Sequence, residues 1–452
     1  MPEPPRRTVV VGGGIAGLTA ARELAATGRD VLVLEGSPRT GGKLLSGSVA
    51  GVDVDLGAES MLARRPEGVD LARELGMPVV HPATTSSSVW THGALRPLPR
   101  SVMGVPSDVE QVATSGVLSA AGIARLRHEI PGRALADGED VPVGELVASR
   151  LGDEVVDRLV EPLLGGVYAG HARLLSARAT VPQLVAWSGE ASLVAAAAQA
   201  GSATPGPVFA GIAGGLGRLP LALGEGLEVR TDAAVRGLRR TPTGFALVVG
   251  PTVAAEEVLA DEVVLAVPAA PAARLLAEAA PVAAGELAGV EYASMAVVTL
   301  AFAAADLPDL PGSGFLVPPV DGRTIKAATF SFAKWDWVRE AGDGLLVLRT
   351  SVGRHREESV LQVDDEDLVA ASLADLADAI GLAARPVDSR VQRWGGGLPQ
   401  YAVGHVDRVA RIREDVSAVP GLAVCGAAYD GVGIPAVIAS ARRAALRLTQ
   451  AE

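Results

Sequence analysis

Hydrophobic residues at the start of the chain follow an order typical of a strand, a helix and a second strand. Residues 9–11 are three consecutive valines, and residues 31–34 form a second apolar run. Short runs of this kind, rich in β-branched residues, predict buried strands. Gly28 is expected to end the helix between them, because glycine readily adopts the left-handed conformation that terminates helices. The N-terminal segment therefore predicts a βαβ unit.

The next part of the chain changes from strand to helix spacing. Residues 49–56 predict one strand, since apolar residues alternate there with Asp53 and Asp55, and residues 66–75 predict a helix. Strand patterns are nearly absent between about residues 96 and 185, which therefore predict a helical insertion. Its predicted helices are residues 109–117, 122–128, 143–150 and 153–164.

Strand patterns resume after residue 209 and mix with one clear amphipathic helix at residues 365–380. The predicted strands of this part are residues 245–249, 262–267, 297–302, 314–317 and 345–352. Near the C-terminus, residues 422–425 predict a short strand, residues 426–435 a glycine-rich turn and residues 436–448 a helix. The chain thus ends on a second strand–turn–helix unit.

The composition is that of a globular protein, with 452 residues of which 49% are hydrophobic and 20% are charged. A net charge of −12 argues against nucleic acid as a partner, since no stripe of Lys and Arg could neutralise phosphates. Cys425 is the single cysteine, which excludes an intramolecular disulfide and is expected to pack in the core. The six histidines show no spacing typical of metal ligands, so no metal is expected.

No membrane span or targeting segment is expected. The longest stretch without ionisable residues, 191–217, is interrupted by glycines and prolines and is not expected to span a bilayer as a helix. The predicted nucleotide-binding strand follows directly after Arg6 and Arg7, which argues against a signal peptide. A reducing, cytoplasmic location is expected for a chain with one cysteine.

The first turn carries the spacing of a dinucleotide-binding fingerprint. Glycines at 12, 14 and 17 allow a tight turn and a close approach of the backbone to a pyrophosphate, which the following helix faces with its N-terminal amides. Glu35 ends the second strand, where a carboxylate binds the ribose hydroxyls of an unphosphorylated adenosine.

Further glycines distinguish FAD from NAD as the predicted ligand. Gly41 and Gly42 allow the chain to double back beside the diphosphate, where Lys43 or Arg39 supplies positive charge. The C-terminal turn aims a second helix N-terminus at the same ligand, at its flavin end. The sequence therefore predicts that both ends of the chain bind one FAD.

With these turns in place, the chain resembles the FAD-dependent oxidases that include monoamine oxidases, phytoene desaturases and protoporphyrinogen oxidases. It is most similar to the oxygen-dependent porphyrinogen oxidases of Gram-positive bacteria, over nearly its full length. The segments that carry the resemblance are residues 57–66, 161–170, 393–394 with 398–401, and 431–435.

The resemblance implies an α/β fold, α+β overall, with a Rossmann-like FAD-binding domain, a mixed-sheet substrate domain and a helical insertion. The FAD-binding domain is expected at residues 1–58, 209–272 and 415–452. The substrate domain is expected at residues 59–95, 186–208 and 273–414, and the helical domain at residues 96–185. In membrane-associated members of the family the helical part faces the membrane, so a peripheral membrane contact stays open here.

The resemblance also implies which residues hold FAD: by family position Val235 lies at the adenine and Trp394 at the isoalloxazine. The full set of expected cofactor contacts is Gly12, Gly13, Gly14, Ile15, Ala16, Gly17, Glu35, Gly36, Gly42, Lys43, Gly57, Ala58, Glu59, Ser60, Val235, Trp394, Gly426, Val432, Gly433 and Ile434.

The implied substrate is a porphyrinogen, coproporphyrinogen III for the Gram-positive type, with O2 as the final acceptor, H2O2 as the product and ferrochelatase-type enzymes as candidate partners in haem biosynthesis. Arginines suit its propionates, because the guanidinium matches a carboxylate. The substrate-binding candidates are Arg64, Arg65, Arg96, Arg100, Arg393, Tyr168 and Tyr401, with Trp335 and Trp337 as either pocket or core residues. No acid–base pair is evident, so the catalytic residues stay unknown.

Three alternatives remain open from the residues alone. The same chemistry on protoporphyrinogen IX is the nearest, since two vinyl groups replace two propionates there. An amine oxidase or desaturase on the same scaffold is the second. A flavin- or porphyrin-binding protein without turnover is the third, and the cofactor motifs at both ends of the chain favour catalysis over it.

Overall fold

A five-stranded parallel sheet forms the centre of the part of the protein that contains both chain ends. The structure is a computed structural model and describes residues 5–202 and 206–450. The strands, in spatial order, are Glu228–Arg230, Asp30–Leu34, Arg7–Val11, Glu262–Leu265 and Leu422–Val424. Three distant segments of the sequence are therefore joined in one sheet.

Both faces of this sheet are covered, which is why its strands are apolar throughout. Val9 and Val11 face one layer and Val10 faces the other, as expected for alternating side chains. On the Val10 side lie the helices Ile15–Ala25, Pro66–Glu74, Arg218–Gly224 and Ile434–Gln450. On the opposite side lie the helices Ala269–Leu276, Pro281–Ala288 and His405–Ser417 and the antiparallel strands Val235–Thr241, Gly244–Val249 and Glu256–Ala260.

A second, seven-stranded mixed sheet forms the next layer. Its strands, in spatial order, are Asp388–Pro399, Tyr292–Ala303, Leu345–Val352, Ile325–Thr329, Gly314–Leu316, Ser88–Thr91 and Ala94–Pro97. The helix Asp365–Ile380 packs on one face through Leu368 and Leu376, at the bounds predicted from the sequence. The other face packs on the hairpin Ser46–Val49 and Val52–Asp55 and on the helix Asp336–Gly342.

The predicted helical insertion has a core of its own, built from apolar residues of its helices. A single helical rod runs from Asp153 to Tyr168, with a π-helical segment Val156–Val160 in its middle. The other helices are Val109–Ser115, Ala120–Arg127, Val143–Leu151, Ala177–Thr180, Pro182–Ala186 and Leu193–Ser202. Two short strands, Ser101–Val102 and Val105–Pro106, form a small hairpin at its edge.

Short elements complete the described chain. They are the three-stranded sheet Met61–Leu62, Phe209–Ile212 and Val79–Val80, the helices Ser331–Lys334 and Ala427–Asp430, and the 3-10 turns Thr252–Ala254, Ala304–Asp306, Pro319–Asp321 and Glu358–Leu361. Within residues 5–202 and 206–450, no helix has the length and apolar character needed to cross a membrane. Residues 203–205, inside the uncharged stretch noted above, lie outside the described residues.

One sequence prediction is wrong in detail, and the structure also places two of the aromatic residues singled out from the sequence. Residues 49–56 are not one strand, because Ala50 and Gly51 adopt left-handed conformations and turn the chain into a hairpin. Tyr168 ends the helix Glu161–Tyr168, and the left-handed Ala169 terminates it. Trp335, expected as either a pocket or a core residue, is buried in a core. The boundaries of the domains stay predictions.

Candidate functional site

The N-terminal turn is built so that the backbone can approach a ligand closely. Gly12 has φ +106°, and a Cβ there would lie 2.6 Å from the carbonyl oxygen of Ala266. A Cβ on Gly17 would lie 1.8 Å from the carbonyl oxygen of Gly12, so no side chain fits at either position. Gly14, by contrast, faces open space, with only the Cα of Gly42 within 4.0 Å. A diphosphate fits at this open side, against the start of the helix Ile15–Ala25.

Glu35 is held in place at the end of the second strand by two backbone amides. Its Oε2 accepts from the N–H of Gly13 at 2.6 Å, and its Oε1 accepts from the N–H of Ser37 at 2.8 Å. Each oxygen keeps a further lone pair for a ribose hydroxyl. A Cβ on Gly36 would lie 3.5 Å from the Cα of Ala234. Val235, which follows Ala234 in the chain, is therefore near Glu35.

The second glycine pair folds back onto the first turn, as its sequence predicts. Gly41 donates its N–H to the carbonyl oxygen of Gly13 at 2.8 Å, and a Cβ on Gly42 would lie 3.3 Å from the Cα of Gly14. Lys43 follows, and loss of water around its amine lowers the pKa of that amine.

Trp394 and Gly57 lie next to Lys43 and form one wall of the candidate site. The indole N–H of Trp394 donates to the carbonyl oxygen of Leu56 at 3.4 Å. A Cβ on Gly57 would lie 2.0 Å from the carbonyl oxygen of Lys43 and 3.2 Å from the Trp394 ring. Ala58 donates its N–H to the same Lys43 carbonyl at 3.4 Å. The seven-stranded sheet and the dinucleotide-binding part therefore meet at this point.

The side chain of Glu59 points away from this wall, into a buried ion cluster. Its carboxylate lies 2.7 Å from Lys334 Nζ and 3.2 Å from Arg349 Nε, and it accepts from the hydroxyl of Ser331 at 3.2 Å. Burial raises the pKa of Glu59, but the two cations outweigh burial and hold the pKa at about 2. Ser60 Oγ also faces Lys334, at 3.5 Å. The Glu59 carboxylate is therefore engaged within the protein, and the cofactor contacts expected for Glu59 and Ser60 stay predictions.

The C-terminal turn lies against the start of the first helix. Gly426 has φ +122° and donates its N–H to the hydroxyl of Ser440 at 3.1 Å. A Cβ on Gly426 would lie 3.8 Å from the Cβ of Ala16. Val432 packs against the core of the helical insertion. Gly433 is exposed at the start of the helix Ile434–Gln450, which packs on the helix Ile15–Ala25 in a shared core. The C-terminal turn and the first glycine turn are therefore carried by two helices that pack together, and their shared contact with one ligand stays a prediction.

Two tyrosines stand beside this turn. Tyr401 is buried, donates its hydroxyl to the carbonyl oxygen of Ala427 and stacks on His405 at 4.2 Å between ring centroids. Tyr168 meets the Tyr401 ring edge-on at 5.7 Å, and burial raises the pKa of Tyr168 to about 12. Both hydroxyls stay protonated at neutral pH, and both rings belong to the core of the helical insertion.

The candidate arginines near residue 65 lie close to the C-terminal turn. Arg65 precedes the helix Pro66–Glu74. A Cβ on Gly68 of this helix would lie 3.7 Å from the side chain of Ile434. Arg65 is 44% exposed and pairs with Glu67 Oε1 at 2.6 Å. Arg64 is exposed beside it. The propionate role expected for Arg64 and Arg65 stays a prediction.

The other candidate arginines lie elsewhere. Arg393 pairs with Asp365 and donates to the carbonyl oxygen of Val363 at 2.6 Å. It pairs in register with Ala296, on the face covered by the helix Asp365–Ile380, whereas its neighbour Trp394 faces the opposite side. The propionate role predicted for Arg393 therefore does not fit the structure.

Arg96 and Arg100 belong to the edge near the helical insertion. Arg96 packs against Gly116, and its buried Nε has no hydrogen-bond partner among the described residues. Arg100 is exposed, and its backbone N–H donates to Gln111. Neither residue has a contact with the glycine turns described above.

Sequence reasoning missed two buried cations, Lys326 and Arg354. Lys326 is 4% exposed and Arg354 is 6% exposed. A lysine inside the apolar run of residues 325–330 is the feature that could have identified the first. Cys425, in contrast, is buried as predicted, and burial raises its pKa to about 12, which leaves it as a neutral core residue.

The fold and the two glycine turns define a flavin-binding oxidoreductase. The chain belongs to the flavin containing amine oxidoreductase family, which it matches over residues 15–449. It is 40% identical to the coproporphyrinogen III oxidase of Mycobacterium leprae, with 99% of both chains covered. It is 31% identical to the coproporphyrinogen III oxidase of Bacillus subtilis, with 95% of both covered.

A solved structure is similar over the same extent. A protein of Exiguobacterium, assigned as a protoporphyrinogen oxidase, superimposes with a TM-score of 0.87 at 32% identity, covering 98% of this chain and 99% of that one. These findings confirm the predicted fold class, the resemblance, and FAD as the cofactor of an oxidoreductase.

Proposed function

We propose that this protein oxidises coproporphyrinogen III to coproporphyrin III, with FAD as the bound cofactor and O2 as the final acceptor. The observation that carries the proposal is the full-length likeness to coproporphyrinogen III oxidases, at 40% identity to the M. leprae protein. The geometry supports it, because the Trp394 ring lies against Gly57, and Tyr401 donates its hydroxyl to Ala427 beside the C-terminal turn.

The reaction needs little acid–base chemistry from the protein. Oxidising a porphyrinogen to a porphyrin removes six hydrogens and six electrons, and three molecules of O2 take them up as three molecules of H2O2. FAD accepts two electrons at a time, so the substrate is oxidised in three rounds. Each round takes a hydride from a meso carbon, and the adjacent pyrroles stabilise the resulting charge. Two rounds release a pyrrole N–H proton and one releases a proton from the remaining meso carbon, so four meso hydrogens and two N–H hydrogens leave in total. The protein therefore acts mainly by orienting the substrate and excluding water.

Individual residues take the following roles in this proposal. The backbone at Gly12–Gly17 faces the diphosphate, Glu35 the ribose, and Val235 the adenine. Trp394 and the turn Val432–Ile434 border the isoalloxazine, with Lys43 nearby. Arg64 and Arg65 meet propionates at the rim, and Tyr168 and Tyr401 support the flat macrocycle. The product passes to a ferrochelatase-type enzyme in the cytoplasm.

The proposal is tested with purified, FAD-loaded protein and freshly reduced coproporphyrinogen III. Porphyrin fluorescence should appear faster than autoxidation, with three O2 consumed for each porphyrin formed. The matched control is the same protein stripped of flavin. Flavin-loaded protein that produces no porphyrin above the autoxidation rate would refute the proposal.

Protoporphyrinogen IX is the second candidate substrate. The observation that favours it is the TM-score of 0.87 with the Exiguobacterium protein assigned as a protoporphyrinogen oxidase. The ratio of kcat/KM on the two porphyrinogens decides between them, because that ratio measures which transition state the site stabilises more.

A further inference from the structure

Lys326 lies at an irregularity in the seven-stranded sheet. Ile325 pairs with Val352 and Ala327 pairs with Ser351, so Lys326 is an extra residue between two regular pairs. Such a bulge turns the side chain of the extra residue out of the regular alternation. The bulge therefore decides where the only charged side chain of this strand points.

The amine of Lys326 points to the face of the sheet that borders the FAD site. Its Nζ lies 3.9 Å from Met295 Sδ and donates to the carbonyl oxygen of Gly353 at 2.9 Å. Met295 pairs in register with Trp394, and directly paired residues share one face of a sheet. Trp394 reaches the backbone at Gly57 from that face. Lys326 thus lies directly behind the wall to which Met295 and Trp394 contribute.

A second cation, Arg354, lies beside it. Arg354 Nη2 donates to the carbonyl oxygen of Val317, whose N–H in turn binds the carbonyl oxygen of Lys326. Arg354 has one weak ion pair, 3.9 Å from Glu357, and Lys326 has none among the described residues. Burial, together with the charge of Arg354, lowers the pKa of Lys326 to about 7. Two neighbouring buried cations are costly unless an anion comes to them.

We infer that Lys326 and Arg354 are positioning residues whose joint positive charge draws a carboxylate of the substrate toward the Met295 wall and thereby favours the porphyrinogen with more carboxylates. This inference rests on the proposed function. Coproporphyrinogen III has four propionates and protoporphyrinogen IX has two, so a field of this sign selects the former. A unit charge acting across a protein wall is expected to change the preference about tenfold.

Several other charged or titratable groups lie around Lys326 on the elements packed against it, and they complete the electrostatic environment. They are Glu161 and Tyr168 on the helix packed against the strand, His171 beside Glu161, His355 and Glu357 after Arg354, Asp375 on the helix of the other face, Arg349 on the adjoining strand, and Tyr292 and Arg393 on the two strands beyond it.

The test compares kcat/KM for the two porphyrinogens in wild type, Lys326→Met, Lys326→Arg and Arg385→Met. Methionine keeps the length of the lysine side chain without its charge, and Arg385 is an exposed cation of the same part of the chain whose loss serves as the control. At pH 6.5 the preference for coproporphyrinogen III should fall about tenfold in Lys326→Met and stay unchanged in Arg385→Met.

The pH dependence gives a readout that a merely structural role would not produce. The Lys326 amine is charged mainly below its pKa, so the preference of wild type for coproporphyrinogen III should fall as pH rises from 6.5 to 9. The preference of Lys326→Met should not change over this range. The preference of Lys326→Arg should stay high throughout. Binding of coproporphyrin III relative to protoporphyrin IX, measured by absorbance titration, should follow the same pattern without turnover.

Two outcomes separate the inference from the proposed function. Wild type that oxidises neither porphyrinogen refutes the proposed function itself. Wild type that oxidises coproporphyrinogen III with a preference independent of pH from 6.5 to 9 overturns only the inference, and so does a folded Lys326→Met with the wild-type preference. The wild-type pH series decides the matter even where a variant fails to fold.

Discussion

Two single residues, Gly57 and Glu59, have structural roles that neighbouring residues cannot take over. Gly57 lets the chain pass against the carbonyl oxygen of Lys43. Two residues after Gly57, the carboxylate of Glu59 neutralises Lys334 and Arg349. Both lie where the dinucleotide-binding part meets the seven-stranded sheet. Their substitution should therefore affect cofactor retention and folding together.

Gly57→Ala should destabilise the protein by about 2 kcal/mol or more and weaken flavin binding, because the new Cβ would lie 2.0 Å from a backbone oxygen. Urea unfolding and the flavin content of purified protein measure both effects. Gly285→Ala is the matched control, since nothing lies within 4 Å of its Cβ position in the helix Pro281–Ala288. That control should gain up to about 1 kcal/mol from helix propensity. Equal stability of the two variants would contradict the steric argument.

Glu59→Gln should cost about 3 kcal/mol at pH 7, because it leaves two largely buried cations, each 15% exposed, without their shared carboxylate. The pKa of Glu59 falls from 4.5 to about 2 on folding, so its contribution is complete above pH 4.5 and is lost as pH falls toward 2. The free energy of unfolding, measured from pH 5 down to pH 2.5, should fall less steeply in Glu59→Gln than in wild type. The exposed Glu366→Gln should keep the wild-type slope. Parallel curves for wild type and Glu59→Gln would exclude this role.

At the scale of elements, the C-terminal strand–turn–helix unit is stabilised by a hydrogen bond between its helix and its turn. The helix Ile434–Gln450 does so through Ser440, whose hydroxyl accepts from the buried N–H of Gly426. Arg442 on the same helix pairs with Glu23 at 2.8 Å on the helix Ile15–Ala25. The relative placement of the two turns is thus set by helix packing with a few specific polar contacts.

Ser440→Ala should destabilise the protein by about 1–3 kcal/mol, because the buried N–H of Gly426 loses its acceptor while the helix propensity of alanine works in the opposite direction. Flavin should dissociate faster as the turn loosens, which absorbance after dilution can follow. Thr449→Ala removes a hydroxyl near the end of the same helix, bonded to Leu446, and should change neither quantity. An unchanged flavin dissociation rate in Ser440→Ala would show that the turn is held by other contacts.

At the scale of the whole molecule, the FAD site joins segments that are more than 400 residues apart in sequence. Arg7–Val11, Glu262–Leu265 and Leu422–Val424 are neighbours in one sheet. A ligand that contacts both ends binds the folded chain and not the unfolded one, and so stabilises the fold by mass action. With the proposed contacts at both chain ends, the cofactor is expected to act as a structural link as well as a reactant.

FAD at 100 times its Kd should add about 2.7 kcal/mol to the stability of the flavin-free protein. FMN, which lacks the adenosine that Glu35 is proposed to bind, should add less at the same concentration. Calorimetry of flavin-free protein with each ligand gives the comparison. Glu35→Ala should reduce the advantage of FAD, and an equal stabilisation by FAD and FMN would argue against a site that spans both turns.

The local order of the chain determined much of this protein. The spacing of Gly12, Gly14 and Gly17 and the position of Glu35 fixed the first βαβ unit, because turn geometry and strand length act over a few residues. The helix Asp365–Ile380 has its predicted bounds because apolar periodicity and a terminal glycine are local properties. The family resemblance rests on these same motifs.

Only the tertiary structure decided where particular side chains point. Arg393 faces away from the site because strand pairing puts it on the opposite face from Trp394, and Glu59 is drawn into an ion cluster by residues almost 300 positions later. Lys326 faces the FAD side because of a bulge that its own sequence does not mark. Side-chain direction depends on pairing register and on distant charges, and neither can be read from neighbours in the chain.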